Sequence, residues 1–370
     1  MNPQPAELPA TTHQPSSPVR RVNLALQGGG SHGAFTWGVL DELLKDERIE
    51  IDGVSGASAG AVNAVALAHG FAAAARDGQD AMAAREAARA TLSTLWQRVA
   101  AMGSLGSMAE GISKMMMGYW SSEKVGANFL GKSLNQWMSP YQSNPLDINP
   151  LRRLLQDEID FEAIARHQQP KVFVSATHVP TGKAEIFHGK KLTLQAVMAS
   201  TCLPTLFRAV EIDGQPYWNG GFSSNPSLLP LINECSSRDI IVVQINPLRR
   251  PSAPQTAHAI VDRVNELTFN ASLLLQMRTI DFINRLLADG RLQEGERYKS
   301  LLLHRIDGGE ALEEFPSSSK LSADRVMIDK LFAMGQGSAR RWLRRHFEAL
   351  GQQSTVNIRR DYVGSTPPEF

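Results

Sequence analysis

The chain has 370 residues, 42% of them hydrophobic and 20% charged, with a formal net charge of +1. That length holds one large domain or two ordinary ones with a sizeable core, and the near-neutral balance carries no electrostatic footprint for nucleic acid or for a strongly acidic substrate. Cys202 and Cys235 make neither a disulfide framework nor a metal-ligand spacing, and they fit a reducing cytoplasm.

Residues 1–20 begin with a Pro-, Thr- and Ser-rich stretch that lacks the apolar run of a signal peptide, and they read as a disordered leader. Val22 to Leu26 is a short apolar strand ending at Gly28-Gly29-Gly30-Ser31-His32-Gly33. Ala34 to Lys45 has helical periodicity, Ile49 to Ser55 is a second strand, and Ala61 to Ala75 is a helix. This β-loop-α-β-turn-α order is the signature of a parallel sheet with crossover helices. Gly53 to Ala75 carries no Asp, Glu, Lys or Arg, yet its Gly, Ser, Asn and His residues make it too polar and broken for a membrane span.

An Ala-rich helix follows over 81–101, then a Gly-, Ser- and Met-rich stretch to about 145 with Met115-Met116-Met117, Tyr119, Trp120, Trp137 and Tyr141. Its first part, 102–120, suits either a lid or membrane-touching element, since Met adapts to varied acyl chains, or a helix packed on the core. Asn149-Pro150 caps a helix to Glu158. Lys171 to Ala176 and Ala184 to Phe187 are strands, and Leu192 to Ala199 is a helix. Phe207 to Ile212 and Pro216 to Trp218 form a hairpin turning at Asp213-Gly214. Ser227 to Asn233 is helical. Asp239 to Ile245 is an unbroken apolar strand, as in a sheet buried on both faces. Thr256 to Ala288 is mostly helical, Ser300 to Ile306 is a strand, and two helices near Ser322–Met334 and Ser338–Leu350 close the chain. The expected organisation is a domain over 21–350 with an insertion at about 100–150, and a tail over 351–370.

Gly56-Ala57-Ser58-Ala59-Gly60 is a G-x-S-x-G elbow between a strand and a helix. A sharp turn exposes the serine, Gly56 and Gly60 remove side chains that would crowd it, and the helix places its positive dipole end beneath it. A serine hydroxyl still needs a base to take its proton. The three glycines at 28–30 leave backbone N–H groups unhindered, as an oxyanion hole requires. The same loop matches a dinucleotide fingerprint with Asp52 as the ribose acid, but the second strand runs into the Ser58 elbow instead. Nine histidines allow a Ser-His-Asp reading, although Ser58 comes too early in the chain for the α/β-hydrolase order.

Met198-Ala199-Ser200-Thr201-Cys202-Leu203-Pro204 leads through the hairpin to Asn219-Gly220-Gly221 and Asn225-Pro226. In this order the motifs resemble the patatin-like phospholipase family, over roughly residues 22–245. The resemblance implies a three-layer α/β/α sandwich with a mainly parallel sheet. It implies hydrolysis of phospholipid, lysophospholipid or neutral-lipid esters by a Ser-Asp dyad without cofactor or metal. Ser58 is then the nucleophile, Gly28, Gly29 and Gly30 the oxyanion hole, and position 219 the proton acceptor. His32, Gly33, Gly56, Gly60, Gly220 and Gly221 complete the motifs.

Two positions depart from the family pattern. His32 stands where Arg or Lys is usual, so the loop lacks its fixed positive charge. Asn219 stands where the dyad aspartate belongs, and a neutral amide cannot act as a base. An engineered change, a natural lipid-binding pseudoenzyme and an active enzyme with a relocated base, Asp213 being the nearest, are three explanations. Intracellular polyester hydrolysis is a further enzymatic alternative. Asn219-Gly220 also has the dipeptide form most prone to deamidation. The basic stretch Ser338–Leu350 suits an anionic lipid surface or a solvated helix face. The expected partners are a hydrophobic ester and transient membrane contact, with no nucleic acid, and the expected location is cytoplasmic, free or peripheral to the membrane.

Overall fold

The computed structural model describes residues 18–104, 139–250, 252–295, 298–315, 319–320 and 322–364. Its strands are β1 (Arg20–Leu26), β2 (Ile49–Gly56), β3 (Lys171–His178), β4 (Ala184–His188), β5 (Val210–Ile212), β6 (Gln215–Asn219), β7 (Asp239–Gln244) and β8 (Leu302–Asp307). They form one sheet in the order β5-β6-β3-β2-β1-β7-β8, with β4 on β3. The pairings β1–β2, β1–β7, β2–β3 and β7–β8 are parallel, and β3–β4, β3–β6 and β5–β6 are antiparallel.

Central strands bury both faces, which is why β7 reads as a continuous apolar run. Ile241 and Val243 pack on one side with Leu24 and Leu26 of β1, while Ile240, Val242 and Ala25 pack on the other. The first face is covered by α1 (Gly33–Lys45), α2 (Ala59–Arg76), α3 (Ala81–Ser104) and part of α4 (Pro150–Glu158) and α5 (Phe161–His167). The helix α6 (Leu194–Thr201) packs beside β3 and β6. Opposite lie α7 (Leu229–Glu234) and the 32-residue α8 (Ala257–Ala288). The result is a mainly parallel sheet flanked by helices, the α/β/α arrangement expected.

Where two closing helices are expected, one helix, α9 (Arg325–His346), runs through. Gly335 does not break it. A Cβ there would sit 2.0 Å from the Phe35 carbonyl oxygen, and one on Gly38 would sit 2.0 Å from the Phe332 carbonyl oxygen. The two glycines let α1 and α9 touch backbone to backbone. Gly335→Ala is expected to cost about 1–3 kcal/mol by overpacking this contact, read as a lower denaturation midpoint with an unchanged m-value.

The basic end of α9 turns its apolar side inward: Trp342, Leu343 and Phe347 are buried, and Arg340 pairs with Glu42 at 2.9 Å. These apolar groups pack inward, while Arg341, Arg344 and Arg345 stay exposed. The tail expected over 351–370 is packed in its described part, where Thr355 N–H donates to the Leu303 carbonyl at 3.0 Å and Ile358 and Tyr362 are buried. Residues 1–17, most of the 102–120 stretch with its three methionines, and Trp137 lie outside the described residues. No described helix is long and apolar enough to cross a membrane.

Candidate active site

Parallel strands bring their following loops to one edge of the sheet. The glycine loop follows β1, Ser58 follows β2, and Asn246 follows β7. The register explains how Asn219 joins them. Gly56 of β2 lies beside Val174 of β3, so Ser58 stands level with Ala176, and Ala176 pairs with Asn219 of antiparallel β6.

Ser58 occupies the elbow with φ 53 and ψ −123, at the N-cap of α2. A non-glycine residue in this region costs about 1–3 kcal/mol and is held there by its surroundings. A Cβ on Gly56 would lie 2.4 Å from the Gly60 carbonyl, and one on Gly60 would lie 2.1 Å from the Leu26 carbonyl oxygen. The crowding expected on either side of the serine is thus present as backbone contact. Ser58 N–H donates to Ser200 Oγ at 2.9 Å, a contact that gives the Ala199-Ser200 helix end its place in the site.

Asn219 is 1% exposed and Ser58 is 8% exposed. Asn219 Oδ1 accepts from Gly221 N–H at 2.8 Å, and Asn219 Nδ2 donates to Ser58 Oγ at 3.1 Å. The amide orientation follows from hydrogen bonding: the Gly221 N–H can only donate, so the oxygen faces it and the NH₂ faces the serine. Ser58 Oγ accepts from position 219, the reverse of what a general base needs. Burial and bonding at both ends also oppose the side-chain cyclisation that deamidation of Asn219-Gly220 requires. Gly220 and Gly221 lie against Ser175 and Phe269.

Asp213 is no substitute. It sits in the β5–β6 turn with φ 51, exposed, at the far end of β6 from Asn219. Four strand residues alone separate them by about 13 Å. Asp52 is also occupied elsewhere: its Oδ2 accepts from Ser236 N–H, Ser236 Oγ–H and Ser237 N–H at 2.7–2.9 Å. This removes the ribose role. His178 bonds Thr181 and Gln215, away from Ser58. Among the described residues, no group of three or more His, Cys, Asp and Glu side chains gathers in a form that could hold a metal ion.

The oxyanion assignment of Gly28 needs correction. Its N–H already donates to Asn225 Oδ1 at 2.6 Å. Its carbonyl accepts from Asn246 Nδ2 at 2.8 Å. Gly29 and Gly30 N–H find no acceptor among the described residues and remain free for an anion. Behind the loop, Gln27 Oε1 accepts from Ile245 N–H, Asn246 N–H and Asn246 Nδ2 at 3.0–3.1 Å, and its Nε2 donates to Asn270 Oδ1 at 3.1 Å. Motif reading finds Asn225 but misses the rest of this amide lattice, Gln27, Asn246 and Asn270. Its only sequence signal is a polar residue directly after an apolar strand, at Gln27 and near Asn246.

His32 is 2% exposed, with Nε2 at 2.8 Å from Ser319 Oγ, while Gly33 opens α1 against Ala59. Burial, and then Lys320 and Arg250, push His32 down from 6.5 to about 3. It is neutral in the folded chain. Between these two values the unfolded chain binds the extra proton, so the His32 contribution to stability rises with pH across that window and is lost as pH falls towards 3. The slope reaches about 1.4 kcal/mol per pH unit. His32→Phe is expected to flatten this acid limb, measured as denaturation midpoints between pH 4 and 7.

The patatin-like phospholipase family model matches residues 24–232, more than half of the chain, and includes every motif described above. No curated protein matches. The crystal structure of VipD from Legionella pneumophila is similar, with a TM-score of 0.40 and 15% identity, over 90% of this chain and 68% of that one. The glycine loop, the Ser58 elbow and position 219 lie within the matched span, and the chain belongs to the patatin-like phospholipase family.

Proposed function

We propose that this fold is built for serine-dependent hydrolysis of lipid carboxylic esters, with Ser58 as nucleophile and position 219 as the site of its base, and that Asn219 leaves the chain impaired. The contact between Ser58 Oγ and the position-219 side chain at 3.1 Å, on the strained elbow, carries this reading. In the proposed reaction Ser58 Oγ attacks the acyl carbonyl carbon while a carboxylate at 219 takes its proton. The carbonyl oxygen becomes the oxyanion, facing the Gly29 and Gly30 N–H groups. Collapse breaks the ester bond, and the departing alkoxide takes the proton from position 219. Water then releases the acid by the same path. Phe222, 39% exposed and leaning on Phe269 at 5.4 Å, puts an apolar edge near Asn219 that suits a hydrophobic ester.

One observation favours a second reading, a non-catalytic lipid binder: Asn219 donates to Ser58 rather than accepting from it. Ester hydrolysis separates the two. Asn219→Asp is expected to cleave phospholipid, lysophospholipid or p-nitrophenyl esters, and Ser58→Ala in that background to abolish the cleavage. An Asn219→Asp chain that cleaves none of them while still retaining lipid vesicles belongs to the binding class.

A further inference from the structure

The glycine loop lacks the cation its motif usually carries, because His32 is held neutral. A cation nevertheless reaches the loop from elsewhere in the chain. Lys320 Nζ donates to Asn246 Oδ1 at 2.6 Å, and Asn246 Nδ2 donates to the Gly28 carbonyl at 2.8 Å. The same lysine lies on the loop through its backbone: Gly30 has φ 57, and a Cβ there would sit 2.1 Å from the Lys320 carbonyl oxygen. Its neighbour Ser319 bonds His32 Nε2 at 2.8 Å. Residues 319–320 therefore touch the loop at His32, at Gly30 and, through Asn246, at Gly28.

We propose that Lys320 is a positioning residue of the oxyanion loop, supplying through Asn246 the positive charge that His32 does not. An ammonium on Asn246 Oδ1 polarises that amide, so its NH₂ grips the Gly28 carbonyl more strongly. That grip orients the peptide whose N–H belongs to Gly29. The charge also adds to the field felt by an oxyanion at the Gly29 and Gly30 N–H groups, where a dry site strengthens it. Neutral His32 fits this arrangement, since a second cation beside Lys320 is repelled.

The charged groups facing Lys320 are Glu266 and Asp262 of α8 and Arg250 after β7, with His32 from the loop itself. Glu266 is already shared by Arg250 and by Arg263, the latter at 3.0 Å. Burial dominates and pushes the Lys320 amine down to about 8, against the pull of Glu266 and Asp262. The ammonium is present below that pH and lost above it.

This inference rests on the hydrolase reading only for its kinetic arm, so two readouts are needed. In the chain as it stands, labelled with ¹⁵N-glycine, the Gly29 and Gly30 amide resonances are expected to titrate with a midpoint near pH 8. Lys320→Met abolishes that titration, and Lys320→Arg moves it out of range. In the Asn219→Asp background, Lys320→Met is expected to lower kcat at least tenfold with little change in KM and to remove the alkaline limb of the pH profile. Lys320→Arg keeps most of kcat and moves the limb upward. Gly29 and Gly30 amides that titrate identically in Lys320→Met overturn the inference, as does a Lys320→Met kcat equal to its parent's. If Asn219→Asp hydrolyses no ester, the hydrolase reading fails and the amide titration alone decides for or against Lys320.

Discussion

Asn219→Asp raises the ester kcat/KM by about 10²–10⁴-fold, the span that a positioned general base contributes. The geometry needs almost no rearrangement for this. The Oδ atom now bonded by Gly221 N–H stays where it is, at 2.8 Å. The other terminal atom, now the NH₂ lying 3.1 Å from Ser58 Oγ, becomes an oxygen that accepts the serine proton. The hydrogen bond reverses direction without moving its ends. Two opposing effects act on the new carboxylate: burial raises its pKa, and the Gly221 N–H lowers it. Whichever prevails, the base works only when ionised, so activity falls as pH drops through that pKa. The expected profile gains an acid limb that the parent chain lacks. Measuring kcat/KM of both chains from pH 4 to 10 on one soluble ester checks it, with Ser58→Ala as the blank. Equal rates for the two chains remove position 219 from the chemistry.

Local signals in this chain are strong. Ser58 is legible because crowding at the elbow leaves only glycine at 56 and 60, and β7 is legible because both of its faces are buried. Pairing is not legible in the same way. Nothing within Gln215–Asn219 states that it runs antiparallel to β3 in the register that sets Asn219 opposite Ala176. That register, and not the Asn-Gly-Gly motif, delivers the side chain to Ser58. The misread break near Gly335 has a related cause. Glycine lowers helix propensity, and its compensation, a backbone contact with α1, lies about 300 residues away in sequence. Most of the clamp on the glycine loop is hidden for the same reason: Gln27, Asn246 and Lys320 come from separate segments and share no spacing with the Asn225-Pro226 motif. Motifs mark residues that must have one identity, whereas supporting amides are fixed by who their neighbours turn out to be.

His32→Arg, which writes the family's usual residue into the loop, is expected to destabilise this chain rather than improve it. The imidazole is packed edge-on against Phe315, with ring centroids 5.7 Å apart, and its Nε2 lies 2.8 Å from Ser319 Oγ. The site already excludes a proton, since Lys320 and Arg250 help hold His32 near 3. A guanidinium cannot shed its charge as imidazole does. It must therefore stay ionised beside two cations, while Glu266 is already shared by Arg250 and Arg263. An uncompensated buried charge costs about 3–5 kcal/mol. At roughly 1.3 °C per kcal/mol for a chain of 370 residues, Tm falls by about 4–6 °C. Lys320→Met added to His32→Arg is expected to restore most of the loss, because it removes the nearer repulsion and vacates Asn246 Oδ1 as an acceptor. The size of that coupling is the informative quantity. Two independent sites add within about 0.5 kcal/mol, whereas one shared cation position gives a double variant more stable than His32→Arg alone. Thermal unfolding of the two single variants and the double variant at pH 7 measures it directly. Simple additivity would mean that the charge at 320 and the residue at 32 do not compete for the same place on the loop.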